Sequence, residues 1–186
     1  MKLILGSKSP RRKELLSSIG FDFEVRTKET DESFPTTLNS NEVALFIANK
    51  KTEELIIDLK DDEIVLCADT VVIIDGVILG KPKDKDEAIH MLEQLSGRDH
   101  IVITGVVIAS NEKKIQFQST TIVSFLPLSN DEIQGYIDNY KPFDKAGSYG
   151  IQEWIGAAAI QRIEGSYNNV VGLPTHEVYQ ALKKFQ

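Results

Sequence analysis

A chain of 186 residues with 41% hydrophobic and 26% charged side chains has the composition of one folded domain with a proper core, which argues against disorder and low-complexity architectures. A formal charge of −7 disfavours a general nucleic-acid binder, and the single cysteine, Cys67, excludes an internal disulfide and a metal site of the cysteine-pair kind. The opening MKLILGSKSP has too short an apolar run for a signal peptide, and no run approaches the roughly 18 residues of a membrane span. A cytoplasmic protein without membrane partners is expected.

Residues 3–5 predict a strand and 10–19 a helix, with Ser9 as N-cap, Pro10 at the first helical position and Gly20 at the C-terminal end. A short extended piece follows over 21–26, then a polar loop over 30–40 broken by Pro35, then a long helix over 41–59 capped by Ser40. EIVLCADTVVIIDGVILG predicts two strands joined by a tight turn at Asp75-Gly76. A helix over 86–95 stops at Gly97, and two strands, HIVITGVVIAS and KIQFQSTTIVSFLPL, flank a turn at 111–114. Ser129 and Glu132 form a capping box for a helix running to Tyr140. KPFDKAGSYGIQ has the glycine and charge content of a functional loop, AAAIQRIEG predicts the last strand and 175–185 a terminal helix. Hairpins occur beside crossovers, so the class is α/β with a mixed sheet.

Several charges stand where a merely structural chain would not put them. Arg11, Arg12 and Lys13 fall in the first turn of a helix, where the dipole favours acids and each base costs about 0.3–1 kcal/mol. They either point to solvent or face, with the free backbone N–H groups, a phosphate-bearing ligand. Asp69 interrupts IVLCADTVVII, and a carboxylate so placed needs a partner, a proton or a metal. Lys51 shares the apolar side of its helix with Val43, Ile47 and Leu55, so it either snorkels to water or delivers a cation to a cleft; Lys50 points away and is expected to be solvated. Lys81 lies between Gly80 and Pro82, whereas Lys83 and Lys85 alternate with acids as a solvated run does. Asp31 and Glu32 lie in a loop, where exposed acids usually carry no role.

The three histidines have neither metal-site nor triad spacing, and there is no phosphate-binding G-x-x-x-x-G-K-[ST] loop. Together, Arg11, Arg12, Lys51 and Lys81 with Asp69 and Glu32 suit a polyphosphate held by cations, with carboxylates for a hard divalent ion.

GSKSPRRKELL at 6–16, TDES at 30–33, A-x-x-K at 48–51, CADTVV at 67–72, LGKP at 79–82, LSGRDHIVITGV at 95–106, FDKAGSYGIQ at 143–152 and IEGSYNNVVGLP at 163–174 give the chain, along nearly its full length, the pattern of a known family. It resembles the Maf family of nucleoside triphosphate pyrophosphatases, also called septum formation proteins. The resemblance implies a single Maf-like domain over 1–186 with a fold like that of the inosine triphosphate pyrophosphatases: a long mixed sheet flanked by helices, in two lobes with a central cleft. It implies hydrolysis of a nucleoside triphosphate to the monophosphate and pyrophosphate, with Mg²⁺ or Mn²⁺ as cofactor and a homodimer as assembly. Asp69 stands at the family's catalytic aspartate and would bind metal and activate water with Glu32. Ser7, Arg11, Arg12, Lys51 and Lys81 would hold the triphosphate.

Arg12, Thr70 and Gln152 resemble the branch that prefers thymidine and uridine triphosphates, and a glutamine amide can both donate to and accept from a uracil-type base. The chain departs from the common pattern at Tyr140-Lys141-Pro142 and at Glu153-Trp154-Ile155, which flank the loop bearing Gln152. Two other functions stand against dTTP and UTP hydrolysis: a pyrophosphatase for purine or modified nucleotides such as 7-methyl-GTP, and a non-catalytic nucleotide-binding regulator of septum formation. An RNA-binding module would need a basic surface with interleaved aromatics, which the chain lacks.

Overall fold

The computed structural model describes residues 2–185. Among these, seven strands form: β1 (Lys2–Leu5), β2 (Phe23–Val25), β3 (Glu63–Ile74), β4 (Val77–Leu79), β5 (Asp99–Ala109), β6 (Lys114–Phe125) and β7 (Ile160–Glu164). They hydrogen-bond in the order β2-β1-β3-β5-β6-β7, with β4 paired on β3. β1 runs parallel to β2 and β3, whereas β4 on β3 and β7 on β6 are antiparallel, so the sheet is mixed as the hairpins and crossovers predicted. The helices are α1 (Pro10–Ser18), α2 (Val43–Ile56), α3 (Lys85–Leu95), α4 (Asn130–Tyr140), α5 (Trp154–Ala158), α6 (Tyr167–Val171) and α7 (Thr175–Leu182). Among the described residues no helix is long and apolar enough to cross a membrane.

The chain divides into two compact units. The first runs up to Thr70 and adds Thr104–Ser119 and everything from Gly172 on; the second holds Val71–Ile103 and Thr120–Val171. Within the first unit, side-chain alternation along β1 and β3 builds two cores. Leu3, Leu5, Ile64, Leu66 and Ala68 pack with Leu16 of α1 and Val178 and Leu182 of α7. Ile4, Val65 and Cys67 pack instead with Leu55 of α2. Burial raises the Cys67 thiol to about 11, so it is an inert core group.

Two glycines let α2 and the sheet come close. A Cβ on Gly6 would fall 2.4 Å from Cys67 Sγ, and one on Gly105 of β5 would fall 2.3 Å from Leu45 N, so neither position accepts a side chain without movement.

Glu63, at the start of β3, is 1% exposed and meets Arg26 through both oxygens at 2.8 and 2.9 Å. The paired guanidinium, with the Lys60 N–H, pulls the Glu63 carboxyl from 4.5 down to about 2. A depressed folded-state pKa contributes stability that is complete above about pH 4.5 and is lost as pH falls towards about 2. Melting temperature against pH is therefore expected to fall more steeply over that window in the parent than in Glu63→Gln, and parallel curves would exclude the effect.

Within the second unit, α3 buries Ala88, Met91, Leu92 and Leu95, and α4 buries Ile133, Tyr136 and Ile137. His100 is buried against Phe125 and Tyr149, with a 2.7 Å bond between its Nε2 and the Tyr149 hydroxyl. Burial lowers its imidazole to about 4, so it is neutral near pH 7 and serves the core.

Some boundaries differ from expectation. The helix expected from 41 begins as a 3₁₀ turn, Ser40–Glu42, whose cap is Asn39 rather than Ser40: the Asn39 side chain accepts from the Asn41 N–H at 2.9 Å. The AAA of AAAIQRIEG ends α5 and only Ile160–Glu164 is strand; α5 and α6 are too short to show helical periodicity. The terminal helix tightens to 3₁₀ over Lys183–Phe185. The Asp75-Gly76 turn has φ of 51° and 77°, the left-handed pair that a tight hairpin needs, and the Ser129/Glu132 capping box is formed.

Candidate active site

The alternation that builds the two cores of the first unit also aims its polar groups. Residues 65, 67 and 69 share one side of β3, so Asp69 continues the Val65-Cys67 row towards α2, whereas Thr70 continues the Leu66-Ala68 row towards α1.

Asp69 lies within the twelve-residue β3, which continues to Ile74. Lys51 Nζ of α2 donates to Asp69 Oδ1 at 2.7 Å and also sits 2.7 Å from Glu32 Oε1. The Lys51 and Asp69 side chains are only 16% and 15% exposed, so their attraction is weakly screened. Glu32 thus has a partner that loop position did not suggest. Lys50, expected to be solvated, binds the neighbouring loop instead: its Nζ donates to Asp31 Oδ2 at 3.2 Å and to the Ser33 carbonyl at 3.0 Å. Asp31 also accepts from the Ser33 N–H at 2.9 Å, and bonds from Ser33, then Lys50, lower its carboxyl to about 2. Successive lysines on α2 therefore fix the TDES segment, which sequence spacing could not reveal because the partners come from separate elements.

Arg12 organises the second group. Ser9 caps α1, its Oγ accepting the Arg12 N–H at 3.4 Å. The Arg12 guanidinium donates to the Gly172 carbonyl at 2.8 Å, to Thr70 Oγ1 at 3.0 Å and to Ser7 Oγ at 3.4 Å. That leaves two of an arginine's five N–H donors for a ligand. Burial lowers the Arg12 guanidinium, and the charge of Asp69 is the main influence opposing the shift. Thr70 Oγ1 also bonds Thr104 Oγ1 of β5 at 2.9 Å. Thr104 and the Gly172 carbonyl were not foreseen; the glycine lies in the quoted NNVVGLP stretch, where its φ of 130° disfavours a side chain.

Candidate residues from the sequence thus meet in two groups in the first unit: Glu32-Lys51-Asp69, and Ser7-Arg12-Thr70. Arg11 follows on the half-exposed first turn of α1. Lys81, exposed after β4, and Gln152, exposed in a turn before α5, belong to the second unit.

The Glu32-Lys51-Asp69 group keeps one net negative charge and suits a cation, whereas the start of α1, with arginines and no acid in its first turn, suits an anion. Among the described residues no group of three or more His, Cys, Asp and Glu side chains forms a closed metal cage. Asp69 and Glu32 nevertheless fit a hard cation of the Mg²⁺ type, which takes one or two carboxylates and completes its shell with water and phosphate oxygens, and both already converge on one cation, the Lys51 ammonium.

Comparison with known proteins agrees. The family model described as Maf-like protein matches residues 2–185. The chain belongs to the Maf family. A relative from Porphyromonas gingivalis named dTTP/UTP pyrophosphatase is 50% identical over 99% of this chain and 94% of its own length. A relative of the same name from Flavobacterium psychrophilum is 50% identical over 96% of this chain and 91% of its own. Among solved structures, the Staphylococcus aureus Ham1 protein superposes with a TM-score of 0.50 at 13% identity, covering 67% of this chain and 72% of that one, which bears on the fold alone. The mixed sheet flanked by helices that this Maf chain adopts is the fold its motifs implied.

Proposed function

We propose that this Maf chain is a nucleoside triphosphate pyrophosphatase that hydrolyses dTTP and UTP to the monophosphate and pyrophosphate, and that residues 1–186 work as one domain. The name shared by relatives at 50% identity over nearly the whole chain supports the reaction. The observation that carries it in this chain is the Lys51 ammonium held 2.7 Å from both Asp69 and Glu32. Asp69 acts as the general base: a water oxygen bonds to the α-phosphorus, the bond from that phosphorus to the bridging oxygen breaks, pyrophosphate leaves, and the water's proton passes to the Asp69 carboxylate. Lys51 orients that carboxylate through Oδ1 and, with Ser7, Arg11, Arg12 and Lys81, binds the triphosphate, so that positioning and charge neutralisation supply most of the rate. Asp69 and Glu32 hold a divalent cation, Mg²⁺ or Mn²⁺, which when bound offsets phosphate charge. The opposite-sign charges on α1 are explained in the same way, because the arginines and the helix dipole attract one anion.

Arg12, Thr70 and Gln152 set the base preference. The direct Arg12–Thr70 bond supports treating the first two as one unit that fixes how deeply the nucleotide sits. The enzyme works in the cytoplasm, as a homodimer.

A panel of ribo-, deoxyribo- and modified nucleoside triphosphates with Mg²⁺ or Mn²⁺, read for pyrophosphate and orthophosphate separately, tests this. Pyrophosphate release is expected to be strongest with dTTP and UTP. A purine preference would keep the reaction and overturn the base assignment, and no release from any nucleotide would leave a nucleotide-binding regulator.

A further inference from the structure

Gln152 is exposed, yet the residues on either side of it are held by the fold. On one side Ile151 is buried, and its carbonyl lies against Gly156 so closely that a Cβ there would fall 1.8 Å from Ile151 O. On the other side the Glu153 carboxylate is fixed through both oxygens. Tyr136 of α4, itself 2% exposed, donates its hydroxyl to Glu153 Oε2, and Lys145 Nζ lies 3.0 Å from Oε1. The same Tyr136 hydroxyl accepts the Gly150 N–H at 3.0 Å, and Lys145 also pairs with Asp144 at 2.8 Å. The Lys145 and Glu153 side chains are 10% and 21% exposed, and a Cβ on Gly150 would fall 2.9 Å from Glu153 Cδ, so the pair is packed onto the loop backbone rather than waving over it.

One carboxylate thus joins α4, Lys145 of the 141–152 loop and the turn that presents Gln152, all within the second unit. Charge-assisted bonds to Tyr136 and Lys145 hold the turn.

Resting on the assignment of Gln152 as the residue that reads the base, we propose that Glu153, held by Tyr136 and Lys145, is a positioning residue for base selectivity that presents the Gln152 amide in a fixed orientation. The physical reason is preorganisation: an exposed glutamine loses rotamer and loop freedom on binding, and a clamped backbone has already lost part of it.

The experiment compares kcat/KM for dTTP with that for GTP in the parent, Glu153→Gln, Gln152→Ala and the double variant, with melting temperatures as a check on folding. Glu153→Gln is expected to lower the dTTP/GTP ratio about fivefold through KM for dTTP, and to lower it no further once Gln152 is alanine. An unchanged ratio in Glu153→Gln, or the same fall in both backgrounds, would overturn the role, since a merely structural effect does not depend on Gln152. A ratio untouched by Gln152→Ala alone would overturn the base assignment and the positioning role with it. Should Glu153→Gln not fold, Tyr136→Phe, which keeps the ring and removes only the hydroxyl, is read in the same way.

Discussion

Asp69→Asn is expected to reduce pyrophosphate release from dTTP by about a thousandfold, within the range that a positioned general base contributes. The amide has the shape of the carboxylate but cannot take up the water's proton, and it offers a divalent cation a weaker ligand. The fold should survive, because Lys51 keeps Glu32 as an ionic partner and the amide oxygen can still accept from Nζ, although neutralising one carboxylate of a largely buried pair lowers stability. The measurement is single-turnover pyrophosphate release beside a thermal melt. Parent-like release from a folded Asp69→Asn protein would show that the base lies elsewhere. Loss of release with a collapsed melt would show instead that Asp69 was holding the fold.

Gly105→Ala is expected to be the most damaging single methyl in the first unit. The added carbon would stand 2.3 Å from Leu45 N, 2.4 Å from Leu45 Cα and 2.5 Å from Ala44 C, all backbone atoms of α2 that no rotamer change can move. The helix must shift off β5, at a cost of about 3 kcal/mol or more, the upper end for overpacked sites. For a chain of this size that lowers the melting temperature by about 6–12 °C. Because α2 carries Lys51, activity should fall as well. Gly135→Ala in α4 is the contrasting control: nothing lies within 4 Å of its Cβ, and alanine's better helix propensity should raise stability by about 0.5–1 kcal/mol. Calorimetry on both variants checks the sign as well as the size, and equal melting points would exclude the close approach at Gly105.

Much of the site could be read in advance because local chemistry marks it. Asp69 was conspicuous as a carboxylate inside an apolar run, and Lys51 as a cation on an apolar helix side. What could not be read was their pairing, since β3 and α2 meet only in the folded first unit. The same holds for Arg12 and Thr70, 58 residues apart in sequence and 3.0 Å apart in space. Lys50 and Asp31 escape the sequence for one shared reason: a surface charge looks solvated until the segment opposite it is known.

By itself the sequence determined the longer helices and strands, the hairpin at Asp75-Gly76, the capping box at Ser129 and Glu132, and the family, because each depends on neighbours a few residues apart or on motifs in order; the five-residue α5 and α6 escaped it. Only the tertiary structure decided which carboxylates share Lys51, what Arg12 binds, how near α2 comes to Gly105, and that Glu153 anchors the Gln152 turn. Those are contacts between distant segments, and alternation along a strand says which side a residue faces without saying what will be packed there.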